Sequence, residues 1–62
     1  MRFNIYIQNS SKSKNFAEMF EVHFKKDFDA LHYALDLFDF KKHKEIKVFK
    51  NGKLLMKFVR EQ

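Results

Sequence analysis

Cysteine and proline are both missing from this chain of 62 residues, and glycine occurs once. Without cysteine it has neither a disulfide framework nor a thiolate zinc site, which fits a reducing compartment. A single glycine leaves no glycine-rich phosphate loop, because Gly52 already follows Asn51 in a strong hairpin signal. No apolar run approaches the ~18 residues of a membrane span, and the alternating start Arg2 to Gln8 is no signal peptide. An intracellular, cytoplasmic protein without membrane partners is expected. Arginine is also scarce, while Lys and Phe, which like Asn and Ile have AT-rich codons, are abundant. That codon usage points to an AT-rich genome, as in low-GC bacteria and their phages.

Catalytic chemistry lacks its usual signatures. His23, His32 and His43 have no paired ligand spacing, so no zinc site or other cofactor is expected. Ser10, Ser11 and Ser13 lie in one polar stretch without an adjacent base, which gives no activated nucleophile. Asp36 and Asp39 share a helix face but have no further ligands around them, and read as a solvated stripe. The chain is expected not to be an enzyme.

What is present is aromatic and charged. Nine Phe and two Tyr equip a domain of this size with an efficient core, since each aromatic buries roughly 150 to 250 Å². All four aspartates, Asp27, Asp29, Asp36 and Asp39, fall in a stretch without Lys or Arg, a −4 segment within a +9 frame. Such segregation predicts two surfaces of opposite sign on one domain spanning residues 1 to 62.

Periodicity supplies the elements. Phe3, Ile5 and Ile7 alternate with polar neighbours in a first strand, and Phe20, Val22 and Phe24 mark the inner face of a second. Glu18 on that inner side suggests an edge position or a bulge. Between them lies a polar, turn-rich stretch, 9 to 15. Asp27 is the expected N-cap of a helix reaching about Lys41, with Phe28, Leu31, Ala34, Leu35 and Phe38 on its core arc. Asp27 and Asp29 at its start, and Lys41 to Lys44 at its end, complement the macrodipole. Residues 45 to 60 read as a hairpin. A three-residue loop, Lys50-Asn51-Gly52 with a G1 bulge, brings Ile46, Val48, Leu54, Met56 and Phe58 onto one face.

The order ββαββ defines an α+β fold. A four-stranded mixed sheet in the order 2-1-4-3, with strands one and four parallel at its centre, lets a single helix cover one face. By element order and length this resembles the β-grasp topology of immunoglobulin-binding bacterial domains.

Two surfaces then carry the functional expectations. The sheet face away from the helix interleaves lysines with aromatic and apolar groups. Tyr6, Lys47, Phe49, Lys53, Leu55 and Lys57 there, with Lys12 and Lys14 in the loop, match the chemistry of single-strand nucleic-acid binding, in which rings stack on bases and lysines meet phosphates. The alternative is a solvated face whose lysine stems cover scattered apolar groups. On the helix, Asp29, His32, Asp36 and Asp39 share one arc, and Tyr33, Leu37 and Phe40 form an i, i+4, i+7 stripe beside it. An exposed apolar stripe next to carboxylates predicts a docking face for a basic protein, unless the helix is rolled or covered.

In general character this compact, cysteine-free, lysine- and aromatic-rich chain is similar to small phage and mobile-element inhibitors of bacterial defence, including anti-CRISPR proteins. The resemblance implies a partner that is a nucleic-acid-processing enzyme or ribonucleoprotein. Direct single-stranded nucleic-acid binding and a homodimer through Tyr33, Leu37 and Phe40 are the alternatives.

Overall fold

The structure, a computed structural model, describes residues 1 to 9 and 17 to 60. Four strands and one helix follow the expected order: β1 (Arg2–Asn9), β2 (Ala17–His23), α1 (Asp27–Leu37), β3 (His43–Lys50) and β4 (Lys53–Val59). The sheet does not have the expected order. Its strands run β2-β1-β3-β4, and every neighbouring pair is antiparallel. The expected 2-1-4-3 arrangement, with its parallel central pair, is therefore wrong, and the β-grasp likeness falls with it. Each strand keeps the direction it would have had; the C-terminal hairpin simply turns its other strand inward.

Residue chemistry accounts for that choice. On β3, Ile46 and Val48 are fully buried, directly across from Ile7 and Ile5 of β1. β4 instead carries lysines at 53 and 57, together with a break in its ladder, features that suit an edge. An antiparallel β1–β3 ladder is also slightly more stable per residue than a parallel one. At the other edge, β2 places Glu18 opposite Ile7, so the acidic residue on the inner side does mark an edge strand.

The hairpin turn differs as well. Asn51 and Gly52 both have positive φ, 50° and 84°, as a two-residue type I′ loop requires, and Lys50 pairs with Lys53 across it. The extra residue sits one step further on. Phe49 pairs with Leu54 but Val48 with Met56, which leaves Leu55 as the bulge. This restores the parity that aligns Ile46 and Val48 with Phe58 and Met56, but Leu54, expected on that face, pairs with Phe49 on the other.

α1 is shorter than expected and rolled. Lys26, not Asp27, occupies the N-cap and makes no side-chain cap bond, and the last turn holds no basic residue. Ala30 and Ala34 are the helix residues with no exposure, and Phe28 and Leu35 stand out in solvent. At 100° per residue, this moves the buried arc by about 80° from the centre of the expected one, Phe28, Leu31, Ala34, Leu35 and Phe38, of which Ala34 and Phe38 stay buried. Two alanines bring the helix close to the sheet. Leu31 and Leu37 then pack from its flanks onto Phe3, Ile5, Ile7, Ile46 and Val48.

Asp39 explains where the helix stops. Its carboxylate Oδ1 accepts the Lys41 backbone N–H at 2.9 Å, and its carbonyl accepts those of Lys42 and His43. Such a side-chain turn competes directly with helical continuation. Phe38, already extended in backbone, swings its ring into the core.

Candidate docking surface

One 11-residue helix cannot cover four strands. Strands lie about 4.8 Å apart and a helix is about 10 Å across, so α1 shields roughly two of them. It lies nearest β3. On the β2 side Tyr33 meets Phe24, ring centres 5.6 Å apart. The opposite flank, Phe28, Leu31 and Leu35, therefore turns toward β4. The helix start lies beside the β3–β4 turn, where Asp27 pairs with Lys50 Nζ at 2.8 Å. Beyond the helix, Phe38 meets Phe58 at 5.4 Å, edge to face. The helix thus lies over β3, with its start beside the β3–β4 turn and the residue after its end reaching β4.

This leaves an open apolar channel. Phe28 is 71% exposed, Leu35 51% and Phe58 38%, and Met56 is only partly covered. Phe40, 60% exposed, closes one end in an edge-on cluster with Phe38 and Phe58. At the other end a depression of about 420 Å³ is lined by Asp27, Lys50, Asn51, Lys53, Leu54 and Leu55. Taking ~200 Å² for a whole Phe and somewhat less for Leu, Phe28, Leu35, Phe40 and Phe58 alone expose on the order of 400 Å². That approaches the largest apolar patch of a typical monomer.

The helix residues expected to form a docking face separate. Tyr33 is half-exposed against Phe24, Leu37 packs onto the core, and Phe40 lies in the turn after the helix. Tyr33, Leu37 and Phe40 therefore do not make one stripe. Of the aspartates, Asp29 and Asp36 remain exposed on the helix, with Asp36 4.0 Å from His32. Asp39 is committed to its turn and Asp27 to Lys50. The buried Asp27 Oδ1 atom has no hydrogen-bond partner, so the Lys50 charge is what compensates it.

On the outer sheet face, Tyr6, Lys47 and Phe49 come together as expected. With Ile7, Gln8 and Glu45 they line a shallow depression of about 260 Å³. The Tyr6 and Phe49 rings meet at 5.3 Å and 78°, edge to face, and so form no common stacking platform. Glu45 lies between two lysines that face each other across the ladder, 3.6 Å from Lys47 and 3.9 Å from Lys57. One carboxylate offsets part of the positive field on which phosphate binding would depend. Lys53 stands at the turn and Leu55 in the bulge, away from the Tyr6–Phe49 pair. Lys12 and Lys14 lie outside the described residues.

Among the described residues no group of His, Asp and Glu has the arrangement of a metal site. No helix there is long and apolar enough to cross a membrane. In comparisons with protein-family profiles, curated proteins and solved structures, nothing matches this chain.

Reasoning from sequence assigned Phe28 and Leu35 to the core and so missed them as surface. A signal was there. Apolar residues stand at 28, 30, 31, 33, 34, 35 and 37, too many directions for one buried arc of an amphipathic helix.

Proposed function

We propose that this protein is a non-enzymatic docking module, an inhibitor or adaptor that seats a nucleic-acid-processing enzyme or ribonucleoprotein on the channel between α1 and β4. The observation that carries this reading is the exposed Phe28–Leu35 flank beside Met56 and Phe58. Large apolar side chains left open in so small a protein supply the buried anchors of an interface. Asp29 and Asp36 are exposed across the outer ridge of the helix from that flank, and would meet the lysines and arginines of a target that reaches over the ridge. The anchors are thus Phe28 and Leu35, while Tyr33 and Leu37 belong to packing within the protein. Direct nucleic-acid binding on the sheet is the weaker reading, because Glu45 compensates its lysines and its two rings meet edge-on.

The test is a binding titration against purified bacterial nucleases and ribonucleoprotein complexes. Phe28→Ala plus Leu35→Ala removes capture while Tyr33→Ala leaves it nearly unchanged. A double variant that still binds its target at full strength refutes docking through this channel.

A further inference from the structure

The two edges of the sheet are treated differently by the sequence. β4 has the Leu55 bulge and lysines at 53 and 57, devices that discourage another strand from adding to it. β2 has none of them. From Ala17 to His23 it contains no lysine, arginine or proline, and it pairs with β1 throughout without a register shift.

Its free side is set by the ladder. Phe24 and Met1 exchange two hydrogen bonds, the Phe24 N–H donating to the Met1 carbonyl at 3.1 Å and the Met1 ammonium to the Phe24 carbonyl at 2.8 Å. Bonded and non-bonded pairs alternate along an antiparallel ladder, so Val22, Phe20 and Glu18 also bond inward to β1. Met19, Glu21 and His23 therefore point their backbone N–H and C=O groups out of the sheet. Among the described residues none hydrogen-bonds to those groups.

Side chains select what can use this edge. Phe20 and Val22, half-buried on the inner face, offer apolar contact to residues placed opposite them. Glu18 and Glu21 are three positions apart, so one carboxylate lies on the inner face and the other on the outer. Glu18 has no ion pair among the described residues, and Glu21 has only the His23 ring, at 3.4 Å. An inward carboxylate at an edge opposes a strand that sets an apolar residue against it and favours one that brings a cation. Asp29 and Asp36 add negative charge on this side, because both lie within about 60° of Tyr33 on the helix, and Tyr33 meets Phe24 just past β2. Arg2, opposite His23, and Lys25 and Lys26 gather at the end of β2 away from Glu18.

We infer that the free edge of β2 is a strand-addition site for a basic, extended segment of a partner protein. The segment runs antiparallel to β2, as every pair in this sheet does, with Lys or Arg opposite Glu18 and Glu21 and apolar residues opposite Phe20 and Val22. This goes beyond the docking function proposed above, since the edge lies on the other side of α1 from the Phe28–Leu35 flank. A second copy of the chain is a poorer occupant. Its β2 supplies no lysine or arginine to Glu18 or Glu21, and its β4 is broken by the bulge.

The test uses the full chain and labelled peptides of roughly nine residues, enough to span the strand. One carries lysines at the positions opposite Glu18 and Glu21 and valines at those opposite Phe20 and Val22. A second has glutamates for those lysines, and a third has its lysines two apart, both on one face. By fluorescence anisotropy the first binds about ten-fold more tightly than the second and about three-fold more tightly than the third. Backbone N-methylation separates strand addition from charge attraction. N-methyl groups on the peptide residues opposite Met19 and Glu21 abolish binding, and one on the residue opposite Phe20 changes it little. Glu21→Lys, at an exposed position, removes the preference for the first peptide over the second.

Equal binding by the two N-methylated forms would mean that the peptides adhere by charge alone, and it overturns the inference. So does failure of the first peptide to bind, or a sedimenting assembly of the chain that Glu21→Lys dissociates, because the occupant is then a second copy. Phe28→Ala plus Leu35→Ala leaves peptide binding unchanged, and its loss there places the site on the helix flank and overturns the inference too. If that double variant keeps both the peptide and its enzyme target, docking through the channel fails and the β2 site stands.

Discussion

At the scale of single residues, His43 shows how much depends on one acceptor. It is only 9% exposed, its ring lies 5.7 Å from that of Phe38, and its Nδ1 accepts the Asp39 backbone N–H at 2.8 Å. An imidazole that accepts through Nδ1 carries its proton on Nε2, so the tautomer follows from the turn. Replacing it with leucine keeps the apolar contact but strands a part-buried donor. His43→Leu is expected to lower stability by about 1 to 3 kcal/mol, read as a shift of the urea midpoint without a change in slope. Gly52 makes a different point. A Cβ added there would meet nothing within 4 Å, but φ is +84°. Gly52→Ala should therefore cost about 1 kcal/mol through backbone conformation alone, which thermal unfolding will measure. The Asp27–Lys50 pair falls between these cases, partly exposed but holding a buried oxygen. Lys50→Met should destabilise by about 1 kcal/mol, and more than Lys47→Met on the solvated face.

At the scale of elements, the placing of α1 governs both core and surface. Ala30 and Ala34 keep the helix close to the sheet, so Ala34→Leu should force it outward at a cost of about 1 to 3 kcal/mol. The apolar residues divide sharply. Ile46→Ala in the core should cost about 2 to 5 kcal/mol, whereas Phe28→Ala on the open flank should change stability by no more than about 0.5 kcal/mol, both by urea titration. Strand parity was legible in the sequence, since a period of two leaves little choice: Phe3, Ile5, Ile7, Ile46 and Val48 are all buried as expected. The order of the strands was not legible. Parity is the same whether β3 or β4 lies inside, and the decision rests on which hairpin strand fits against β1. The helix roll was illegible for a related reason, because a small residue such as Ala30 gives a weak hydrophobic signal even at the centre of a buried face. The helix end could have been read from Asp39, whose side chain forms the turn that stops it.

At the scale of the whole molecule, the fold is a four-stranded sheet with one helix too few. The aspartate cluster, which in the sequence looks like a single acidic face, divides into an ion pair, a turn and two carboxylates on the exposed ridge of the helix. The positive charge spreads over the sheet and the loops, where Glu45 offsets part of it. Single-stranded oligonucleotides should accordingly bind weakly through Tyr6, Lys47 and Phe49, with a shallow salt dependence. A slope near 0.7 log units per log salt for each of several phosphates would instead mark the sheet as a true nucleic-acid surface. The central claim is that the channel between α1 and β4 is where a partner docks. Its most direct test compares the affinity of a captured nucleic-acid-processing enzyme for the wild-type chain, for Phe28→Ala plus Leu35→Ala, and for Tyr6→Ala plus Phe49→Ala. The account predicts a loss of at least about 100-fold in the first double variant, with an unchanged urea midpoint, and little loss in the second. Full affinity in the first and a collapse in the second would contradict it.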